Sequence, residues 1–234
     1  MRKTSVFLII IFSCILAYAL TNLPETGHTV EARDGETFTY EVIYNGLSIG
    51  KSTLTFNGEK QLGDKKIYHI TLFTKTAALK DTEEIYGDKE TFLPVEVHRT
   101  IKKKIGFADR IIEKYDQENF RVDISSKSKL RSKSFSIQKD SPIHNAILLV
   151  YYCRTKDDLK EDDKFKITLP TIDLEVMFSG IETIKTDLGE YQAYVFTSDP
   201  PKFKLWLSAD EKRIPLKMKN PGTLGYSLII KSIN

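Results

Sequence analysis

Few residues of this sequence have both the type and the spacing that a reactive or ligand-binding site requires. The segment GLSIGKS, residues 46–52, resembles a phosphate-binding loop, in which backbone amides at the start of a helix hold a phosphate. Only three residues separate Gly46 from Gly50, one fewer than that loop needs, and a strand pattern follows instead of a helix. We therefore expect the two glycines to permit a hairpin turn or a bulge.

The histidines and cysteines do not have the spacing of a metal site. The four histidines are far apart along the chain: His28, His69, His98 and His144. Cys153 has no partner cysteine nearby and lies in an apolar helical pattern, which is typical of a core thiol. The sequence also lacks the G-x-S-x-G pattern of a serine hydrolase. We predict no catalytic residue, no metal and no cofactor.

The segment WLSADEKRIPLKMK, residues 206–219, holds the only tryptophan and a dense group of charges. Apolar and polar residues alternate on both sides of 208–213, and Asp210 can accept hydrogen bonds from turn amides. A proline is tolerated at the first residue of a strand, where Pro215 would lie. We interpret the segment as a hairpin, not an active site. Its structural residues are then Trp206, Asp210, Arg213 and Pro215, and Pro94 opens a similar hairpin over residues 84–98.

Two basic clusters remain as candidate surfaces, HRTIKKKIGFADR (98–110) and SKSKLRSKS (126–134). The simplest interpretation is solvated edge strands, whose lysines prevent edge-to-edge pairing. The alternative is a surface for an anionic lipid or glycan. Phe135 and Ile137 follow the second cluster at the same alternate positions as its basic residues but are apolar, which predicts a bulge or bend near Ser134. The candidate contacts of the first cluster are Arg99, Lys102, Lys103 and Lys104.

Most of the chain alternates apolar and polar residues with period two, which indicates half-buried strands separated by turns. Short strands at near-regular spacing predict a mainly β fold, an antiparallel, strongly curved sheet that forms a partly closed barrel or a sandwich. Beside a strand through Leu54 and Phe56, the predicted strands are 37–44, 65–74, 83–87, 94–102, 109–116, 120–126, 133–137, 164–169, 173–179, 181–186, 190–197, 203–208, 214–219 and 225–232.

One segment breaks this alternation. SPIHNAILLVYYCRT, residues 141–155, carries apolar residues at helical spacing. Ser141 can cap a helix, and Pro142 suits its first position. We predict one central α-helix near 142–154 that covers a face of the sheet or closes one end.

The first twenty residues have the features of a secretory signal. Arg2 and Lys3 precede an apolar run that ends in Ala17-Tyr18-Ala19, a cleavage pattern. We expect residues 1–19 to be removed on export. Two alternatives stay open: an uncleaved membrane anchor, and a lipoprotein signal at Cys14.

The remaining chain is predicted to be a linker, residues 20–35, followed by a single β-rich domain, residues 36–234. Loss of Arg2 and Lys3 lowers the formal net charge from +3 to +1, so there is no general attraction to nucleic acid. Only Cys153 then remains, which excludes an intramolecular disulfide. No second apolar stretch is long enough to span a membrane.

Four segments carry a resemblance to a known family. They are FTYEVIYNGLSIGKSTLTF (38–56), YGDKETFLPVEV (86–97), AILLVYYCRT (146–155) and GEYQAYVF (189–196). A fifth pattern, W-L-S-x-D-x-x-R-x-P-L, is met by Trp206, Leu207, Ser208, Asp210, Arg213, Pro215 and Leu216. Together they resemble an uncharacterised bacterial envelope family, domain of unknown function 3108, over about residues 36–232. The chain departs from the family at Leu47, where isoleucine is usual, and at Tyr44, where tryptophan is frequent.

The resemblance implies a secreted, β-rich envelope domain and no reaction. In architecture it is similar to half-barrel carriers of lipoproteins and lipids such as LolA and LolB, although fold does not establish function. We expect a non-catalytic periplasmic or envelope protein that binds a lipid or a hydrophobic segment of an envelope protein. The alternatives are a scaffolding protein with a filled core and a protein partner, and, less favoured, a hydrolase of envelope polymers. An open apolar cavity under the helix would distinguish the first two.

Overall fold

The computed structural model describes residues 32–157, 159–161, 163–220 and 225–234. The predicted signal peptide, residues 1–19, and all but the end of the predicted linker lie outside these ranges. Within them, no helix has the length and apolar character needed to cross a membrane.

In the described part of the chain, fourteen strands form one antiparallel sheet that does not close on itself, so the predicted mainly β, antiparallel fold is confirmed. The strands of the first half are β1 Thr37–Tyr44, β2 Leu47–Leu62, β3 Lys65–Thr76, β4 Leu79–Asp88, β5 Pro94–Lys103, β6 Asp109–Asp116, β7 Arg121–Lys127 and β8 Ser132–Gln138. Those of the second half are β9 Lys164–Thr168, β10 Asp173–Thr186, β11 Gly189–Asp199, β12 Lys204–Ser208, β13 Pro215–Lys219 and β14 Tyr226–Ile233.

The two halves of the chain meet at the centre of the sheet. β1 pairs with β14, whereas β8 and β9 are the two edges. One helix of the described residues, α1, lies between β8 and β9 in the chain and spans Leu148–Arg154. The connection from one sheet edge to the other therefore crosses the core face.

The predicted helix is confirmed, but its start at residue 142 was wrong. The side chain of Gln117 binds both backbone groups of Ile143. The N–H of Ile143 donates to Oε1 of Gln117 at 3.0 Å, and Nε2 of Gln117 donates to the carbonyl of Ile143 at 2.8 Å. The N–H of His144 donates to the carbonyl of Thr168 on β9 at 2.6 Å. These bonds hold the segment extended, and Oδ1 of Asn145 then accepts from the N–H groups of the first helical turn.

The core lies between the sheet and the helix. Leu148, Leu149, Val150 and Cys153 of α1 are all at most 2% exposed. Along β1 and β2 the buried residues alternate, as the period-two pattern predicted. At Gly87 on β4, an added Cβ would lie 2.7 Å from Cδ2 of Leu148, so the helix and sheet are in close contact there.

Three further details of the predicted strands were wrong. Residues 173–179 and 181–186 form the single strand β10, because Gly180, with φ +98°, absorbs the irregularity between Phe178 and Ile181 as a bulge. No bulge occurs near Ser134, since β7 and β8 pair without a register shift. Lys133 instead shares one face of β8 with Phe135 and Ile137, and residues 128–131 form the turn between the two strands. The first basic cluster is also not on an edge strand, because β5 pairs with both β4 and β6.

Candidate functional site: an aromatic cleft at the end of the helix

The W-L-S-x-D-x-x-R-x-P-L segment forms a hairpin turn between β12 and β13, as predicted. The hydroxyl of Ser208 donates to Oδ1 of Asp210 at 2.6 Å, and the N–H of Lys212 donates to the same oxygen at 3.1 Å. Ser208 in turn accepts from the N–H of Ile214 at 2.8 Å. Among the charges of this segment, Asp210 thus accepts a turn amide, as predicted.

Trp206 is buried, with 5% of its surface exposed. Its Nε1 donates to Oε2 of Glu182 on β10 at 2.7 Å. The ammonium groups of Lys204 on the same strand and Lys217 on β13 lie 4.5 and 4.8 Å from the ring centroid, close enough for cation–π contact. The tryptophan is therefore held within the sheet by contacts with three neighbouring side chains.

Two matching turns flank the C-terminal end of α1. In each turn, the residue two positions before the proline has a positive φ. Phe92, before Pro94, has φ +54°, and Arg213, before Pro215, has φ +48°. Each proline opens a strand, as expected. An aspartate accepts turn amides in both hairpins, Asp88 in the first and Asp210 in the second. The weak sequence likeness between the hairpins therefore has a structural counterpart.

Arg154, the last residue of α1, connects these parts although it is only 2% exposed. Its Nη1 lies 2.9 Å from Oε2 of Glu36, and Nη2 donates to the carbonyl of Lys212 at 3.2 Å. The guanidinium also lies over the rings of Phe38 and Tyr151, at 5.3 and 5.5 Å. One side chain thus joins the helix, the start of β1 and the second turn.

A cleft of about 300 Å³ opens beside Arg154, between α1, the segment that precedes β1, and the first turn. Its aromatic walls are Phe56, Tyr68, Phe92 and Tyr151. Phe56 lies 5.0 Å from Tyr68 and 5.7 Å from Tyr151 between ring centroids, so the rings form a continuous apolar surface. Arg33, Asp34 and Glu59 give the cleft a polar rim. The residues 32–35 that end the predicted linker are thus part of this site.

Two residues that line this cleft each carry a buried donor with no hydrogen-bond partner among the described residues. The donors are the hydroxyl of Tyr151 and Nε of Arg154. Burial raises the pKa of the Tyr151 hydroxyl, so it keeps its proton. A buried donor left without an acceptor costs about 1–3 kcal/mol. An acceptor from a bound molecule would remove that cost.

The other residues singled out in the sequence have structural roles. Asn45 and Gly46 form the β1–β2 turn with positive φ, and a side chain at Gly50 would collide with the carbonyl of Lys75. The carbonyl of Pro94 accepts from Gln117 at 3.0 Å. Cys153 is a free, buried thiol whose pKa is raised by burial. In the described part of the chain, no three His, Cys, Asp or Glu residues are grouped to hold a metal ion.

An ionic cluster that was not predicted from the sequence lies on the core side of β4 and β5. Arg99 lies 2.6 Å from Asp81 through Nη2 and Oδ2, and its Nε is 3.9 Å from Glu83. Burial raises the pKa of Glu83, and Arg99 opposes that shift. The alternation of Asp81 and Glu83 with the buried Ile85 was the available signal. Arg99 is thus paired with acidic side chains, whereas Lys102, Lys103 and Lys104 are exposed at the end of β5, where Lys103 lies 2.7 Å from Asp109.

The sequence model described as protein of unknown function DUF3108 matches residues 39–228. The chain belongs to this family. No curated protein matches the sequence. The cleft is therefore a feature of a DUF3108 protein for which the family supplies no activity.

Solved structures that resemble this DUF3108 chain show the fold. A β-barrel-like protein of domain of unknown function DUF1849 from Brucella abortus has a TM-score of 0.54 at 9% identity, covering 87% of this chain and 98% of its own. A protein of Bacteroides fragilis with a YmcC-like fold, described as exported, scores 0.34 at 8% identity, with 86% and 96% covered. A protein of Parabacteroides distasonis described as a lipoprotein scores 0.29 at 8%, with 87% and 96% covered. The last two scores are too low to carry an argument, and the first supports a barrel-like fold alone.

Proposed function

We propose that this protein is a non-catalytic envelope protein that binds the end of a hydrophobic ligand in the aromatic cleft. The observation that carries the proposal is the pair of buried, unpartnered donors, Tyr151 Oη and Arg154 Nε, on residues that line a cleft walled by aromatic rings. A site of mostly apolar lining with a few convergent polar groups is the usual form of a small-molecule site.

The chemistry of the cleft restricts the ligand. A volume of about 300 Å³ is at the lower end for ligand sites, so it would admit the end of a lipid and not a whole molecule. Glu36 already neutralises Arg154, so a neutral acceptor such as an ester carbonyl suits the site better than a second carboxylate. We therefore infer an acyl ester as the ligand class.

Calorimetric titration with monolauroylglycerol, below its micelle concentration, tests this function. Tyr151→Phe removes one donor, and we expect roughly tenfold weaker binding, as for a lost hydrogen bond of about 1.4 kcal/mol. Tyr115→Phe is the matched control, because that hydroxyl donates to Glu113 away from the cleft. Equal affinities in the parent and Tyr151→Phe would reject the role of the hydroxyl.

A scaffolding role is the second candidate, and the close contact of Leu148 with Gly87 favours it, since the space under that part of the helix is filled. On this account no lipid binds, and the protein is recovered from its host with a protein partner. The two candidates are thus separated by what accompanies the purified protein.

We also propose export to the envelope, on the basis of the signal pattern in residues 1–19. N-terminal sequencing of the exported protein should begin near Leu20. An intact Met1 on a membrane-retained protein would show an anchor, and a lipid on Cys14 would show a lipoprotein.

A further inference from the structure

Two neighbouring hairpin turns project from the end of the sheet opposite to the cleft. They are residues 104–108, between β5 and β6, and residues 128–131, between β7 and β8. Because every strand pair is antiparallel, alternate turns lie at the same end of the sheet, here about 10 Å apart. Nζ of Lys129 lies 5.0 Å from the ring centroid of Phe107, so the two turns touch. We call this end of β1 to β8 the tip end.

The tip end exposes large aliphatic side chains. Ile105 is 90% exposed and Leu130 is 80% exposed, the highest values among the exposed large apolar residues of the described chain. The β1–β2 turn, at the same end, adds Leu47 at 70%. Neighbouring apolar groups that remain in water are typical of an interaction surface.

The same end is basic. Its turns between β1 and β8 carry Lys104, Lys129 and Arg131 and no acidic residue. The corresponding turns at the cleft end carry the acidic residues Asp64, Glu90 and Glu118 and one lysine. Among the turns of β1 to β8, basic residues without acidic neighbours in the turn and strongly exposed aliphatic groups therefore coincide at the tip end.

We propose that the tip end docks on the surface of an anionic lipid bilayer. Ile105 and Leu130 would enter the boundary between headgroups and acyl chains, and the lysines would face the headgroup phosphates. A glycan would match the charge but not the aliphatic tips, which offer its hydroxyl groups no hydrogen bond. Docking in this orientation holds the cleft away from the membrane, so the inference is independent of the proposed ligand.

Flotation with vesicles tests the docking. We expect the parent protein to bind vesicles of phosphatidylcholine mixed with phosphatidylglycerol, to bind phosphatidylcholine alone weakly, and to lose binding as salt is added. Ile105→Ser with Leu130→Ser should weaken binding at least tenfold, because two side chains no longer leave water. Lys102→Gln with Lys104→Gln should weaken binding to the anionic vesicles only.

Matched controls lie elsewhere on the molecule. Ile181 is 56% exposed on β10, and Lys65 and Lys66 are exposed at the cleft end. Ile181→Ser, and Lys65→Gln with Lys66→Gln, should leave binding within about twofold of the parent. Unchanged vesicle binding by the Ile105→Ser, Leu130→Ser protein would overturn the proposal. So would binding to a soluble anionic glycan that survives this change while vesicle binding is absent.

Discussion

Arg154 and Glu36 form an ion pair, 2.9 Å between Nη1 and Oε2, that fixes the C-terminal end of the helix to the start of the central strand. The two residues are 118 positions apart, and the arginine is almost fully buried. A buried charge needs such a partner, because an unpaired one costs far more than the pair contributes. The pair also positions Arg154 beside the cleft, so it couples the fold to the candidate site.

Removing one partner should therefore be costly. We expect Glu36→Gln to lower the free energy of unfolding by about 3 kcal/mol, since the guanidinium stays buried and charged. The exposed pair Arg121 and Asp123 is the control, and Asp123→Asn should change stability much less than Glu36→Gln does. Denaturant melts measure both. Similar small losses for the two variants would show that the buried pair is not a stabilising contact.

The hairpin of residues 206–219 predicts an order of stability losses. Trp206→Ala should cost about 3 kcal/mol, because it removes a buried ring. Asp210→Ala should cost about 1 kcal/mol through the turn amide, and Pro215→Ala less, since it mainly frees the unfolded chain. Denaturant melts test the order. A Trp206→Ala protein as stable as the parent would contradict it and reassign the ring to ligand stacking.

The neutral form of His144 should make stability depend on pH. Burial lowers its pKa below the ordinary 6.5, and its Nδ1 accepts from the N–H of Thr168 at 3.2 Å. On acidification, His144 binds a proton more readily in the unfolded chain than in the folded protein. The contribution of its neutral imidazole to the free energy of unfolding is therefore complete above pH 6.5 and is lost as pH falls through the lower pKa of the folded state.

His144→Asn keeps an acceptor near the position of Nδ1 and removes the titration. We expect the parent to lose stability relative to this variant as pH is lowered from neutral, in urea melts at a series of pH values. His69, whose pKa is also lowered by burial, is present in both proteins and cancels. A difference in the free energy of unfolding between the two proteins that does not change with pH, or that changes in the opposite direction, would contradict a neutral His144 in the folded protein.

Cys153 should be inert in the folded protein. Cys153 is 1% exposed, so a reagent cannot reach its thiol. Burial also raises the pKa of the thiol, so the reactive thiolate form is scarce. A thiol reagent such as dithionitrobenzoate should react with it only after unfolding. Cys153→Ala should cost about 1 kcal/mol and leave ligand binding unchanged. Rapid reaction of the native protein would show that the helix opens or that the thiol is accessible.

The sheet was largely predictable from the sequence because each strand carries its own local signal. Alternation in β1, for example, places Phe38, Tyr40 and Val42 on the buried face, which follows from the period of a strand alone. The start of the helix was not predictable, since the contacts of Ile143 with Gln117 come from a residue on another hairpin. A local helical pattern gave way there to long-range hydrogen bonds.

The cleft could not be predicted for the same reason. Its walls come from β2, β3, the β4–β5 turn and the helix, and nothing local shows that Phe92 and Tyr151 share a space. The pairing of Glu83 with Arg99 likewise depends on strand register, which alternation does not specify. Arg154 lies in the family-like segment AILLVYYCRT, but that segment does not indicate which residue pairs with it.

Native mass spectrometry of the protein purified from its own host tests the ligand-binding account most directly. We predict a co-purified small molecule with an acyl ester on the parent protein, and its loss or strong depletion in the Tyr151→Phe, Phe92→Ala protein. Phe135→Ala, on the edge strand β8, should retain the molecule. A folded parent protein that carries no small molecule, or a variant of the cleft that carries as much as the parent, would contradict the account.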